Sequence, residues 1–194
     1  LCLALGKGKV NYMKTVYAFL ADGVEEVEAL MVIDLLKRTK KLNVVMVSIK
    51  EELMVEGSHG IKFFADKNID EIDFDMGDCI FLPGGAVGTE NLANCKELTE
   101  QILKYNEQGK WLTAICAAPS VYGRLGLLKD KKATSYPTFA EQMNCKEYGG
   151  AVVTDGNYIT AKGLGVALEL GLEMISQLVD EETSGMVADQ IQYN

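Results

Sequence analysis

The stretch WLTAICAAPSVYGRLGLL, residues 111–128, passes from a strand pattern to a helix pattern at Cys116. Before the cysteine, Leu112, Ala114 and Ile115 belong to an apolar run that is typical of a buried parallel strand. After it, the apolar residues return at helical spacing. The strand patterns at residues 14–20 and 42–49, with a helix pattern between them, extend this order, and a strand-helix-strand unit implies a right-handed crossover and a parallel pair. The chain is therefore predicted to have an α/β fold around a parallel sheet.

Cys116 lies at the corner between the predicted strand and helix. A side chain at such a corner is pushed out of the carboxyl edge of the sheet, and the free N–H groups of the following helix point back at it. Because those dipoles favour an anion, the thiol is expected to ionise more easily than a free cysteine and to act as a nucleophile. The alternative is a small buried hydrophobic residue, the usual role of an intracellular cysteine.

The composition indicates one globular domain. The chain has 194 residues, of which 48% are apolar and 24% charged, which suits an α/β domain with a sizeable core. A net charge of −9 argues against a nucleic-acid partner, and no apolar run approaches membrane-spanning length. The first strand pattern follows Met13, so residues 1–12 are expected to be an extension outside the fold and residues 13–194 a single domain.

The cysteines and histidine argue against a metal site. The five cysteines include no C-x-x-C pair, and the chain has one histidine, so zinc is not expected. An odd number of scattered cysteines indicates reduced thiols and a cytoplasmic location. Cys79 is expected in the core, Cys95 and Cys145 are expected to be exposed, and His59 is expected to be solvated.

The remaining elements follow in a regular order. Apolar runs predict buried strands at residues 14–20, 42–49 and 78–83. Helical spacing predicts helices from near Val24, over 95–108 and 166–179, and a final short one ending near Tyr193. Residues 53–64 predict a small antiparallel excursion, and residues 151–161 a strand-turn-strand unit. Asn91 is expected to cap a helix.

Three acidic residues, Glu25, Glu26 and Glu28, crowd the first turn of the first helix. Acidic side chains there complement the helix dipole, and this interpretation suffices for all three. Glu28 differs because it falls one turn after Val24 and shares a helix face with apolar residues.

A glycine loop, Gly84 to Gly88, follows the strand at 78–83. It lacks the spacing of a dinucleotide fingerprint and the lysine of a P-loop. Paired glycines after a strand also permit close approach of the backbone with exposed N–H donors, which suits an oxyanion pocket. This loop and the Cys116 corner lie at carboxyl ends of parallel strands, the edge where open sheets bind ligands.

Four stretches in this order resemble the ThiJ/PfpI family, in particular its DJ-one group. They are ADGVEEVEAL (21–30), FLPGGAVGTENL (81–92), TAICAAPSV (113–121) and TAKGLGVALELGL (160–172). The likeness covers residues 13–192, and the conjunction of E-E-x-E, PGG and AICAAP is highly specific. The resemblance implies a flavodoxin-like three-layer sandwich, with a mostly parallel central sheet and helices on both faces, that forms a homodimer.

The resemblance also implies site residues. Cys116 matches the redox-sensitive cysteine of the family, and Glu28 matches the glutamate that donates a hydrogen bond to its thiolate. A protonated carboxyl beside a sulfur stabilises the sulfur anion, and the two titrations are then coupled. The oxyanion donors correspond to the backbone N–H groups of Gly85 and Ala117.

The pocket lining implied by the resemblance comprises Gly84, Tyr136, Pro137 and residues 162–165 around Gly163. Several branches of the family carry a histidine where this chain has Tyr136, and His59 does not match that position. A Cys-His pair therefore lacks an evident base, because tyrosine is a poor base near neutral pH. This departure places the chain nearer the YajL-like members.

The leading hypothesis is a cysteine-dependent enzyme, of glyoxalase or deglycase type, that needs no cofactor. It would act on small reactive carbonyls such as methylglyoxal, or on their early adducts, in oxidative or carbonyl stress. A second hypothesis is a redox sensor or chaperone that uses an oxidisable cysteine without turnover. A third, a cysteine peptidase, is weakened by the missing histidine.

Overall fold

The computed structural model describes residues 12–193 and is organised around a seven-stranded sheet. The strands are β1 (Lys14–Leu20), β2 (Leu42–Ser48), β3 (Met54–Glu56), β4 (Lys62–Phe64), β5 (Lys67–Asn68), β6 (Cys79–Leu82), β7 (Trp111–Ile115), β8 (Lys132–Ala133), β9 (Glu147–Tyr148), β10 (Val152–Asp155) and β11 (Tyr158–Ala161). The helices are α1 (Glu26–Arg38), α2 (Ala86–Asn94), α3 (Lys96–Glu107), α4 (Pro119–Arg124), α5 (Ala167–Leu178) and α6 (Glu181–Gln190).

The sheet is buried on both faces, as shown by its inner strand β1. Val16, Ala18 and Leu20 join the hydrophobic cluster on one face, whereas Tyr17 and Phe19 join the cluster on the other. Successive side chains of a strand point to opposite faces, so a continuous apolar run fits a strand that is covered on both sides. This explains why the predicted strands showed no alternation of polar residues.

Helices cover the two faces and complete three layers. Buried residues of α1, α5 and α6 belong to one hydrophobic cluster, and buried residues of α2, α3 and α4 belong to the other. The predicted α/β sandwich of flavodoxin-like type is therefore confirmed.

The strand order places a crevice above β1 and β6. The order is β10-β11-β7-β6-β1-β2-β5, and every pair is parallel except β10 with β11. The chain leaves β1 toward β2 on one side and later returns with β6 on the other side, so the order reverses at β1. Ligands bind at such a switch point, beyond the carboxyl ends of the strands.

The two predicted antiparallel units are confirmed, whereas the predictions for the glycine loop and Asn91 are wrong. The antiparallel excursion is the hairpin β3–β4, and β10–β11 is the predicted strand-turn-strand unit. The glycine loop is shorter than expected, because α2 begins at Ala86 after Gly85 turns the chain with a φ of 91°. Asn91 consequently lies inside α2, and its amide donates to the carbonyl of Asp22 at 2.9 Å, so the capping prediction is wrong.

The remaining predictions concern the cysteines, the extension and the membrane. Cys79 is fully buried as expected, but Cys95 and Cys145 are half-buried rather than exposed. Apart from Tyr12, whose hydroxyl donates to Asp78 at 3.0 Å, the expected extension lies outside the described residues, and the domain boundary stays a prediction. Over residues 12–193, no helix combines the length and apolar character needed to cross a bilayer.

Candidate active site

Cys116 occupies the turn between β7 and α4 in a left-handed backbone conformation, with a φ of 62°. That conformation costs a non-glycine residue roughly 1–2 kcal/mol and is held here by neighbouring backbone. Its N–H donates to the carbonyl of Ala161 at 2.9 Å, and its carbonyl accepts the N–H of Tyr136 at 2.7 Å. The corner predicted from the sequence is thus fixed on both sides, and Cys116 is half-buried.

Two backbone N–H groups face the sulfur of Cys116. They belong to Gly85 and Ala117, the two residues predicted as oxyanion donors, and both hydrogen-bond the thiol. The backbone of Gly85 can lie against the chain at Glu25, and so place its N–H at the sulfur, because glycine has no side chain. A Cβ added to it would lie 2.6 Å from the backbone nitrogen of Glu25.

Glu28 lies beside Cys116 and is 1% exposed. The carboxylate of Glu25 caps α1 by accepting the N–H of Glu28 at 2.6 Å, which orients the first turn of the helix. The carboxyl group of Glu28 accepts the N–H of Gly84 at 3.1 Å and also the N–H of Leu164. A Cβ on Gly84 would overlap Oε2 of Glu28 and lie 2.6 Å from Cβ of Cys116, so glycine is required there.

The thiol and the carboxyl group of this pair titrate together. Burial raises the pKa of Glu28 to about 7. Burial and the charge of Glu28 raise the pKa of the Cys116 thiol to about 12, while the N–H groups of Gly85 and Ala117 act in the opposite direction. Between these two pH values the pair holds one proton.

The expectation of an easily ionised thiol is therefore wrong while Glu28 is charged. The N–H donors that the sequence predicts are present, but burial outweighs them and the carboxylate repels the sulfur anion. When the shared proton lies on Glu28, the repulsion disappears and the N–H groups face the thiolate. Glu28 thus controls the charge of Cys116.

A second acidic residue, Glu26, anchors the β3–β4 hairpin beside the site. Its side chain is only 2% exposed and accepts the N–H groups of His59 at 2.7 Å and Ile61 at 3.3 Å. Nδ1 of His59 lies 3.0 Å from Oε2 of Glu26, although 70% of the histidine side chain is exposed. Burial tends to raise the pKa of Glu26, but these hydrogen bonds outweigh it and hold the pKa at about 2.

The contact between Glu26 and His59 also has the residue types of a metal site. Among the described residues, one group brings three potential metal-ligand atoms within 4.8 Å of one another. It consists of Glu25, Glu26 and His59. Glu26 already accepts several hydrogen bonds and Glu25 caps α1, so the cluster acts as the ion pair that joins hairpin to helix. The prediction of a solvated His59 is confirmed by its exposed side chain, whereas its contact with the buried Glu26 has no signal in the sequence.

A cavity of about 470 Å³ opens beside the pair and is lined by residues 136–138 and 162–166. It includes three predicted lining residues, Tyr136, Pro137 and Gly163. The fourth, Gly84, lies instead between Glu28 and Cys116. A second cavity of equal volume is lined by residues 22–23, 56–58 and 86–87, none of which hydrogen-bonds the thiol or its acid partner.

The roles of Glu25 and Glu26 and of the lining residue Thr138 are absent from the sequence predictions. Glu25 carried only a weak signal, because N-caps are usually Ser, Thr, Asp or Asn rather than glutamate. Glu26 carried none. Its partners are more than 30 residues away in the hairpin.

Comparison with known proteins identifies relatives over nearly the whole described chain. The family model described as "DJ-1/PfpI family" matches residues 14–177. Protein DJ-1 homolog A of Arabidopsis thaliana is 36% identical over 182 residues, which cover 92% of this chain but 46% of the relative. The chain thus spans less than half the length of that plant protein. The glutathione-independent glyoxalase DJ-1 of Schizosaccharomyces pombe is 28% identical, covering 88% of this chain and 94% of the relative.

A solved structure shows the same architecture. The structure of oxidized DJ-1 from Toxoplasma gondii superposes with a TM-score of 0.89 at 34% identity, covering 93% of this chain and 98% of that one.

Proposed function

The chain belongs to the DJ-1/PfpI family, and from this premise we propose that it is a cofactor-free, cysteine-dependent enzyme acting on small reactive carbonyl compounds. The observation that carries the proposal is the contact of Cys116 with Glu28 and with the N–H groups of Gly85 and Ala117. The name of the fission-yeast relative, a glutathione-independent glyoxalase, supports a reaction of this class.

The first step is attack of the sulfur on an aldehyde. Glu28 takes the thiol proton, and the Cys116 thiolate forms a bond to the aldehyde carbon of a 2-oxoaldehyde such as methylglyoxal. The carbonyl electron pair moves to oxygen, where the N–H groups of Gly85 and Ala117 stabilise the developing charge. Glu28 then returns the proton to that oxygen, and a hemithioacetal results.

The second step is an internal redox rearrangement. The Glu28 carboxylate removes the proton from the former aldehyde carbon, which gives an enediol, and the hydroxyl proton of that carbon moves to the oxygen of the former ketone. Glu28 then delivers its proton to the former keto carbon. The aldehyde carbon is thereby oxidised to a thioester and the ketone is reduced to a hydroxyl. Water hydrolyses the thioester to a 2-hydroxyacid and restores the thiol, so methylglyoxal and water give lactate. A pKa of about 7 suits Glu28 to give and take protons at neutral pH.

Lactate formation from methylglyoxal tests this proposal. We expect turnover by the wild-type chain and its loss in Cys116→Ala, with a decrease of about 10²–10⁴-fold in Glu28→Gln because general acid–base catalysis contributes that much. Cys145→Ala, which removes a half-buried thiol elsewhere, is the matched control. Wild-type turnover no faster than that of Cys116→Ala refutes the enzymatic proposal.

A second candidate function is a redox sensor that operates through Cys116 without turnover. It is supported by the half-buried position of the thiol beside a protonatable carboxyl, which can donate a hydrogen bond to a sulfinate. Mass spectrometry after mild peroxide treatment tests it. Oxidation of Cys95 or Cys145 before Cys116 contradicts the sensor function.

A peptidase function has less support. The sole histidine of the chain, His59, pairs with Glu26, and Tyr136 holds the position at which some family members carry a histidine. The thiol therefore has Glu28 as its proton acceptor.

We also propose that the protein is a cytoplasmic homodimer. Exposed apolar side chains of α1 and of the β3–β4 hairpin support the dimer: Val27, Leu30, Leu53, Ile61 and Phe64. Exposed apolar side chains on two elements that contact each other through His59 and Glu26 are typical of an interaction surface. The cytoplasmic location rests on the unpaired cysteines of the described chain.

A further inference from the structure

Lys162 brings the only charge to the lining of the cavity beside Cys116. The other lining residues, within 136–138 and 163–166, are uncharged. The lysine side chain is exposed, and among residues 12–193 its ammonium forms no ion pair. An unneutralised cation is thus available to a molecule that enters the cavity.

The backbone places Lys162 close to the reactive corner. The N–H of Cys116 donates at 2.9 Å to the carbonyl of Ala161, the residue immediately before Lys162. The N–H of Lys162 donates to the carbonyl of Ala151 at 2.9 Å, which holds the end of β11 in place. The next two residues, Gly163 and Leu164, line the cavity and approach the carboxyl group of Glu28.

Lys162 is a positive charge on a protein whose net charge is negative. The protein carries a net charge of −9, which repels anionic molecules at long range. A cation at the cavity opposes that repulsion locally and attracts a carboxylate within a few ångströms, where salt screens the attraction only partly.

We propose that Lys162 is a specificity-determining residue that selects carbonyl compounds carrying a carboxylate. The inference rests on the proposed function, because it assumes that the carbonyl group reacts with Cys116. The substrate class is a 2-oxoaldehyde whose carbon chain ends in a carboxylate, held by the ammonium of Lys162 while the aldehyde lies at the sulfur.

The chemistry balances for a compound of this class. With 4,5-dioxopentanoate, the aldehyde carbon forms the bond to sulfur and is oxidised to a carboxyl group. The neighbouring ketone is reduced to a hydroxyl, and one water molecule is consumed in hydrolysis of the thioester. The product is 2-hydroxyglutarate, and the distal carboxylate is unchanged.

Alkylation of Cys116 tests the charge effect without requiring turnover. Iodoacetate and iodoacetamide have nearly the same size and the same leaving group, but only iodoacetate is an anion. The rate at Cys116 is measured for each reagent by peptide mass spectrometry in wild type, Lys162→Met and Lys162→Glu. Lys129→Met is the matched control, because it removes the same charge from an exposed lysine outside the cavity lining.

We expect Lys162→Met to lower the iodoacetate rate roughly three- to tenfold, as a unit charge several ångströms away predicts, and to change the iodoacetamide rate less than twofold. Lys162→Glu lowers the iodoacetate rate further, Lys129→Met leaves the ratio of the two rates unchanged, and 1 M salt reduces the difference. Equal changes for both reagents in Lys162→Met overturn the inference. So does an identical loss of the ratio in Lys129→Met.

Turnover separates this inference from the proposed function. We expect Lys162→Met to lower kcat/KM for 4,5-dioxopentanoate more than kcat/KM for methylglyoxal, so that the ratio of the two values falls by the same factor. Methylglyoxal turnover with no Lys162-dependent preference overturns the inference and leaves the proposed function intact. Charge-selective alkylation without turnover of either compound refutes the proposed function and supports the anion selectivity of the cavity.

Discussion

The backbone N–H of Gly84 donates to Oε2 of Glu28 at 3.1 Å and thereby fastens the end of β6 to the first turn of α1. A Cβ at Gly84 would overlap that carboxyl group and lie 2.6 Å from Cβ of Cys116, so only glycine fits beside the pair.

Gly84→Ala is expected to remove activity and to destabilise the fold by about 1–3 kcal/mol, the usual cost of overpacking a filled site. The added Cβ overlaps Glu28 and separates it from the thiol. Gly185→Ala in α6 is the control, because a Cβ there meets nothing within 4 Å and alanine favours the helix. Chemical denaturation and lactate assays of both variants check the prediction, and full activity in Gly84→Ala contradicts it.

Glu28→Gln is expected to change how the reactivity of Cys116 depends on pH. In the wild type, loss of the first proton from the pair near pH 7 allows the remaining proton to move between oxygen and sulfur, so alkylation by iodoacetamide rises from pH 6 to 8. In the wild type this rise levels off above pH 7, where the pair has lost its first proton. Glutamine cannot take the thiol proton, so in the variant the rate follows ionisation of the thiol alone and keeps rising about tenfold per pH unit. An unchanged profile in the variant shows that Glu28 does not control the thiol.

The stability of the protein should also depend on Glu28. Its pKa rises from 4.5 to about 7 on folding, because burial favours the neutral acid. The folded state therefore binds the proton more tightly than the unfolded chain, and the free energy of unfolding falls as the pH rises from about 4.5 to 7. Relative to wild type, Glu28→Gln should gain roughly 3 kcal/mol between pH 4 and pH 8. Denaturant titrations at both pH values measure this change, and a constant difference contradicts the prediction.

His59 should stabilise the protein in acid more than in base. The hydrogen bond and charge of Glu26 raise the pKa of His59 above its ordinary value. Its contribution is then fully present below the unfolded pKa and is lost as the pH rises through the higher folded pKa. The melting temperature of His59→Gln should fall below that of wild type by more at pH 5.5 than at pH 9. In a Glu26→Gln background this pH dependence should vanish, and its persistence there excludes the ion pair as the cause.

Phe64→Glu is expected to convert the proposed homodimer into a monomer. Phe64 is 69% exposed in the hairpin, and a charge within a buried apolar interface is strongly unfavourable. Met76→Glu, at another residue that is 56% exposed, is the control and should leave the assembly unchanged. Light scattering coupled to size-exclusion chromatography measures the mass of each. A monomeric wild type refutes the dimer.

The sequence predicted the main strands and the arrangement of the reactive residues. Runs such as residues 14–20 and 42–48 are apolar at nearly every position because both faces of the sheet are covered, and that pattern is visible without coordinates. Cys116 and Glu28 were predicted from a strand-helix corner, a helix face and a family resemblance. The structure brings them together.

Features that depend on residues far apart in the sequence could not be predicted from local sequence patterns. Glu26 looked like an exposed helix-end charge, but N–H groups from the hairpin allow it to be buried. The direction of the Cys116 pKa was misjudged because burial, which the sequence does not display, outweighs the helix-start N–H groups. The prediction that Asn91 caps a helix is wrong because the sharp turn at Gly85 starts α2 five residues before Asn91.

The reactive corner also has a consequence for biosynthesis. Its parts come from the loops after β1, β6, β7 and β11, so a nascent chain lacks the complete arrangement until the segment through Leu164 has left the ribosome. A ribosome-stalled fragment that ends before β11 contains the cysteine without the clamp provided by Ala161. The complete arrangement therefore forms only after β11 has been synthesised and has paired with β7.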